Sequence, residues 1–168
     1  MGQKIFLFLL MNIIFLGFLS ISCSKNNLML KDGYYSAEMA DFDEFGWKEY
    51  VTIRVSGARI IHVEYDARNR AGLIKSWDMD YMRAMNEAMG TYPNAYFRYY
   101  SGEFLQRQST ERIDALTGAS ISYKEFILLA DAVLASARLG NSGIVLVKMP
   151  ESAPRGFSDN SITSEENP

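Results

Sequence analysis

Apolar and polar positions alternate with a period of two over residues 51–65, and that alternation sets the first expectation. Val51, Ile53 and Val55 alternate with Thr52, Arg54 and Ser56. The turn "SGAR" follows, and then Ile61, Val63 and Tyr65 alternate with Ile60, His62 and Glu64. Two period-two runs joined by a glycine-containing turn predict an antiparallel hairpin. "GYYSAEM", residues 33–39, predicts a third strand ahead of it, connected through the acidic "DFDEFG". The period then lengthens. Met82, Met85 and Met89 recur at helical spacing behind Asp78 as a cap, with Gly90 as a stop. Phe97, Tyr100 and Phe104 mark a second helix, in which Gly102 costs about 1 kcal/mol of helix propensity. The clearest helix is "SYKEFILLADAVLASARLG". Phe126, Ile127, Ala130, Val133, Leu134 and Ala137 form its apolar stripe, Gly140 ends it, and Ser122 with Glu125 matches a capping box. "GIVLVKM" has the character of a short strand. The fold class expected is α+β: an antiparallel sheet from N-terminal strands packed with helices.

Composition narrows the organisation. The chain has 168 residues, enough for one domain once a targeting segment is set aside. Its first residues, "MGQKIFLFLLMNIIFLGFLSISCSKNN", place Lys4 before an apolar run and end in small residues and Cys23. That is the pattern of a secretory signal. "LSISC" resembles the lipobox of bacterial lipoproteins, whose cysteine carries the lipid after cleavage, although Ser20 stands where a branched apolar residue is preferred. An uncleaved anchor is the alternative, because residues 5–22 are almost long enough to span a bilayer. Either arrangement puts the domain on the extracytoplasmic face of a cell or outer membrane. The expected organisation is a signal at 1–22, a tether at 23–31, a domain at 32–141, and an extended segment with a disordered tail at 142–168. Pro and Ser enrich that tail.

Several chemistries are excluded by residue counts. Cys23 is the only cysteine, so no intramolecular disulfide can form. With one histidine, His62, neither an ordinary zinc site nor an iron–sulfur site can be assembled. No G-x-S-x-G elbow is present, and His62 reads as a solvated strand residue. A net charge of −3 without a basic cluster argues against nucleic acid as a partner. Any redox role must use an organic cofactor.

One motif offers such a role. In "DALTGASIS", residues 114–122, a glycine and the hydroxyls of Thr117, Ser120 and Ser122 precede or open the last helix. A helix start exposes unpaired N–H groups and favours an anion, so the motif is compatible with a phosphate site, although a turn of this kind before a helix is more often a plain helix entry. "DALTGAS" resembles the flavinylation motif of the FMN-binding domain family, known from flavin subunits of sodium-pumping NADH:quinone reductase and Rnf-type complexes. "DGYYSAEM", "GWKEYVTIRV", "VEYDARN" and "DALTGASISYKEF" are similar to a membrane-anchored lipoprotein branch of that family, and the resemblance covers roughly residues 32–140. It implies FMN esterified through its phosphate to Ser120 by a flavin transferase. Asp114, Thr117, Gly118 and Ala119 would be the recognition and cradling residues. Ser120 stands where the family usually has threonine; it keeps the nucleophilic oxygen and lacks the β-methyl that restricts χ1. Lys75 and Ser76 correspond to a loop near the flavin. Tyr96, Tyr99, Tyr100 and Trp77 are candidates to stack on its ring, or else are core residues. The implied role is electron carriage to redox partner proteins; a surface lipoprotein that binds a ligand or partner, or binds FMN noncovalently, is the alternative.

Overall fold

In the computed structural model, residues 29–150 are described. The expected signal, Cys23 and the tether up to residue 28 lie outside them, as does the tail from residue 151. The described residues form a four-stranded sheet with helices on one face. The strands are β1 (Gly33–Met39), β2 (Trp47–Ser56), β3 (Arg59–Asn69) and β4 (Val145–Val147). A 3₁₀ turn, Lys75–Trp77, leads into α1 (Met79–Met89), α2 (Pro93–Arg107) and α3 (Ser120–Leu139). The sheet order is β3-β2-β1-β4; β1, β2 and β3 are antiparallel, and β4 runs parallel to β1. The α+β architecture expected from the pattern is therefore the one observed.

The hairpin differs from strict alternation in one respect. Arg54 pairs with His62 and Val55 with Ile60, so Ile61 is an extra residue in the ladder. A bulge of this kind changes which side chains face inward. Ile60 is buried and Ile61 exposed, the reverse of the expected phase at that end, while Tyr65 and Ala67 point into the core.

The helices cover the inward face unequally. α2 lies on β3 and presents Tyr96, Phe97, Tyr100 and Phe104 to the core, with Pro93 at its start. Gly102 is accommodated on the solvent side. α3 lies across β1 and β2 and buries Phe126, Leu129, Ala130, Val133, Leu134 and Ala137. The aromatic rings interlock: Tyr100 stacks on Phe126 at 5.3 Å between centroids, and Tyr65 meets Phe97 edge-on at 4.6 Å. α1 is bounded as expected, with the Asp78 side chain accepting from the Tyr81 N–H and Gly90 in the left-handed conformation. It contains no buried residue.

The two ends of the molecule are distinct. Where the chain enters, the Lys31 N–H donates to the Ala137 carbonyl at 2.9 Å and its Nζ to the Leu139 carbonyl at 3.0 Å. Entry is therefore at the C-terminal end of α3. The start of α3, with the 114–122 motif, lies at the other end of a 20-residue helix, about 30 Å away at 1.5 Å per residue.

Candidate functional site

The motif folds as a turn that delivers the chain into α3. The Ala119 N–H donates to the Leu116 carbonyl at 3.1 Å, and the Leu116 N–H donates to the Tyr100 hydroxyl at 3.0 Å, tying the turn to the aromatic core. Gly118 has φ +80°, and a Cβ there would come within 2.5 Å of the Met89 carbonyl oxygen and 3.1 Å of the Thr91 methyl. Glycine is needed because the turn presses against the join between α1 and α2.

Ser120 is the first residue of α3 and is exposed, as are Asp114 and Thr117. Ala119 stands at the N-cap and is buried, and no side chain caps the helix. The expected capping box does not form. Ser122 lies inside the first turn of α3, and its hydroxyl donates inward to Glu49 Oε1 at 2.8 Å instead of bonding backbone. The helix begins two residues before Ser122, so Ser122 is not at the cap and its hydroxyl serves the buried carboxylate. Among the described residues no side chain caps this helix start, and the N–H groups of its first turn stand beside the Ser120 hydroxyl, an arrangement that suits a phosphate oxygen.

Behind this first turn is a polar cluster in the core. Glu49 is 3% exposed and Lys75 4% exposed. The Tyr65 hydroxyl meets Glu49 Oε2 and also donates to the Ser122 carbonyl at 2.8 Å. Glu125, half-buried one turn further along α3, is a charged neighbour of Glu49. Burial raises the Glu49 carboxyl above its ordinary range, an effect that Lys75 opposes. Burial and the neighbouring Glu49 push Glu125 up to about 9. Burial also raises the Tyr65 and Tyr96 hydroxyls, and the Tyr96 hydroxyl has no hydrogen-bond partner among the described residues. Lys75 packs its ammonium over the rings of Tyr81 at 5.0 Å and Trp47 at 5.9 Å, with Asp43 at 3.9 Å. Its charge is thus held inside the domain, not offered at the surface.

Ser76 and Trp77 belong to a different concavity. A cavity of about 470 Å³ opens along the free edge of β3, lined among others by Tyr65, Asp66, Ser76, Trp77, Phe97 and Arg98. The Ser76 hydroxyl donates to Asp66 Oδ2. Trp77 is 77% exposed and forms one wall. None of residues 114–120 lines it; Tyr65 belongs to both regions, lining the cavity and touching the first turn of α3 with its hydroxyl. Tyr96 and Tyr100 are fully buried core residues, whereas Tyr99 is half-buried. His62 is exposed on β3, opposite Arg54.

The polar cluster was not expected, although one signal was present. Glu49 is in phase with Trp47, Val51, Ile53 and Val55, all of which face inward along β2. An acid at an inward strand position requires partners. Which partners those are depends on α3 and the 3₁₀ turn, distant in sequence.

No family model matches the chain. A 15 kDa lipoprotein of Treponema pallidum is 34% identical over 125 residues, which is 74% of this chain and 87% of the relative. The chain belongs to the family of that 15 kDa lipoprotein. A crystal structure of a Clostridium perfringens protein matches this lipoprotein-family chain with a TM-score of 0.69 and 34% identity. That match covers 73% of the chain and the whole of the clostridial one. Among the described residues no helix is long and apolar enough to cross a membrane.

Proposed function

We propose that this protein is a lipid-anchored, extracytoplasmic electron carrier with FMN esterified through its phosphate to Ser120. The observation that carries the reading is the placement of the "DALTGAS" motif: its final hydroxyl is exposed at an uncapped helix start. The residues fit the phosphate end of FMN. The N–H groups of the first turn can bond its oxygens, and Gly118 holds the turn closed against Met89 and Thr91. Asp114 and Thr117, exposed in the same segment, are available to a flavin transferase. The flavin supplies one- and two-electron chemistry when bound, and the protein contributes position and electrostatics. A covalent bond suits a compartment in which free FMN is scarce, because a reversible carrier below its Kd is mostly empty.

Membrane anchoring is supported by the lipoprotein relative and by Cys23 at the end of the signal-like segment. From Cys23 to Lys31 the chain can reach at most about 3.6 Å per residue, or under 30 Å. Entry at the far end of α3 then leaves Ser120 on the side of the domain remote from the tether. That orientation suits delivery of electrons to a partner beyond the membrane surface.

The test is the intact mass of the full chain co-expressed with a flavin transferase in a compartment containing FAD. The expected gain is one FMN less one water, mapped to the peptide bearing Ser120 and lost in Ser120→Ala. An unmodified chain, beside a Ser120→Thr variant that does become flavinylated, would reject Ser120 as the acceptor. A second reading is a flavin-free surface lipoprotein that binds a ligand, and the cavity at the β3 edge favours it. At about 470 Å³ it falls within the usual size range of small-molecule sites. A colourless chain with an active transferase would move the function there.

A further inference from the structure

We propose that the outer edge of β3 is a peptide-docking slot, taking an extended segment of a partner protein as an added strand, with an apolar side chain against Trp77 and an acidic one at Arg98. β3 is the outermost strand on its side of the sheet, so among the described residues no strand pairs with its outer edge. Such an edge is a template for a further strand. The chain itself shows which groups point outward. At the start of β3 the Ile60 N–H donates to Gln108 Oε1 at 2.8 Å, and Gln108 Nε2 donates to the Ile60 carbonyl at 2.9 Å. A side-chain amide thus pairs there as a strand would. Toward the other end the Asn69 N–H donates to the Leu73 carbonyl at 3.0 Å, and the Ala67 N–H turns to Asp66 Oδ1 at 2.7 Å. Outward-facing backbone recurs at every second residue of an antiparallel strand. Val63 and Tyr65 therefore present N–H and C=O on the same side as Ala67 and Asn69, and among the described residues nothing bonds them there.

The cavity of about 470 Å³ lies along this middle stretch. Four consecutive residues of β3, 63–66, line it. Successive side chains of a strand point to opposite faces, so a space touching all four runs along the edge and not over one face. Trp77 from the 3₁₀ turn and Asn94 and Arg98 from the first two turns of α2 also line it. Bordered in this way, the edge admits a single extended chain and disfavours the broad sheet edge of a second copy.

The side chains select what the backbone holds. The acids lining the slot already have donors: Asp66 accepts from the Ser76 hydroxyl and the Ala67 N–H, and Glu64 from the Tyr50 hydroxyl. Arg98 donates to the neutral Asn94 side chain and, among the described residues, has no carboxylate within salt-bridge distance. An acidic residue or a terminal carboxylate complements it. The exposed Trp77 ring offers apolar surface that a docked side chain would remove from water. Main-chain bonds for affinity with pockets for particular side chains are the pattern of strand addition. None of residues 114–120 lines the slot, and its peptide does not rest on flavin at Ser120.

The test is titration of the unflavinylated full chain in detergent with capped synthetic hexapeptides. Val and Thr alternate in them, with one Phe and one Asp placed at each pair of positions, beside the same set carrying Lys for Asp. Acidic members are expected to bind with Kd under about 1 mM and to shift Trp77 emission to shorter wavelength; Trp47, the other tryptophan, is already buried. Hydrogen exchange of the Val63 and Tyr65 amides should slow by at least about tenfold on binding. Trp77→Ala, at an exposed position, should weaken binding by roughly tenfold, as loss of an aromatic anchor does. Arg98→Glu should move the preference to the Lys set. Val63→Pro removes an outward donor that the β2 ladder does not use, and should abolish binding; if that variant does not fold, the two exposed-site variants still decide. No binding at about 1 mM, or binding that leaves both amides unprotected, would overturn the slot, and so would unchanged affinity in Trp77→Ala. Equal affinity for the Lys set would overturn the role of Arg98. Protection of both amides by raised protein concentration alone would assign the edge to a second copy and overturn the partner peptide. No readout uses flavin, so failure of flavinylation would be read separately.

Discussion

At the scale of single residues, two glycines show how context reverses the sign of the same substitution. Gly118 sits at φ +80° with its bare face against the Met89 carbonyl, so an added Cβ meets both backbone strain and a fixed neighbour. Gly118→Ala is expected to destabilise the protein by about 2–4 kcal/mol. Gly102 is helical, and nothing lies within 4 Å of where its Cβ would be. Gly102→Ala is expected to stabilise by about 0.5–1 kcal/mol through helix propensity. Urea midpoints of the two variants, measured side by side, check both signs. Ser122 carries a related lesson. Its spacing to Glu125 spelled a cap in one dimension, yet α3 begins two residues earlier, and the Ser122 hydroxyl turns to Glu49, because a buried carboxylate gains more from a donor than a solvated helix end does.

At the scale of elements, α1 differs from its neighbours. α2 and α3 each bury one face on the sheet, whereas α1 has no buried residue and leaves Met79 and Met89 exposed. Its attachments include the Asp78 cap, the half-buried Tyr81 ring against Trp47 at 5.8 Å, the Lys75 ammonium beneath that ring, the partly buried Met85, and the contact of Met89 with Gly118. Few buried contacts mean a low free energy of local opening. Hydrogen exchange is therefore expected to be fastest in α1 among the three helices, by at least about tenfold relative to the centre of α3, equivalent to about 1.4 kcal/mol. Equal protection in α1 and α3 would show that the helix is held more firmly than its burial implies. The methionine spacing and the two caps made this helix legible in the sequence. Its marginal burial was not legible, because an amphipathic pattern reports a face and not whether that face is covered.

At the scale of the whole molecule, the acid pair sets the direction in which stability changes with pH. The folded-state values of Glu49 and Glu125 are raised, that of Glu125 to about 9, while an unfolded glutamate titrates near about 4.3. The folded state thus binds the extra proton between those limits, so the contribution is complete below the unfolded value and lost as pH rises through about 9. The urea midpoint is expected to fall from about pH 5 toward pH 9, with a slope of up to about 1.4 kcal/mol per pH unit for one retained proton. Glu125→Gln should flatten that slope. A wild-type midpoint that rises over the same interval would contradict the raised values. Polarity along α3 is also a whole-molecule property: the chain enters at one end and Ser120 stands at the other.

By itself the sequence determined the element types, the α+β class and the position of the motif at the head of the last helix. Local periodicity, glycine stops and the Asp78 cap act over a few residues, and they were overridden only locally, as at the Ile60–Ile61 phase. It also contained the inward phase of Glu49, one residue from Tyr50 and two from Val51 on a strand whose alternation is clear. Only the tertiary structure decided what that acid meets. Glu49, Tyr65, Lys75 and Ser122 come from β2, β3, the 3₁₀ turn and α3, and they converge because the sheet order and the helix layer bring those elements together. The bulge at Ile61 and the contact of Gly118 with Met89 likewise arise between segments. The physical reason is common to all three: burial and pairing are properties of neighbours in space, while periodicity is a property of neighbours along the chain.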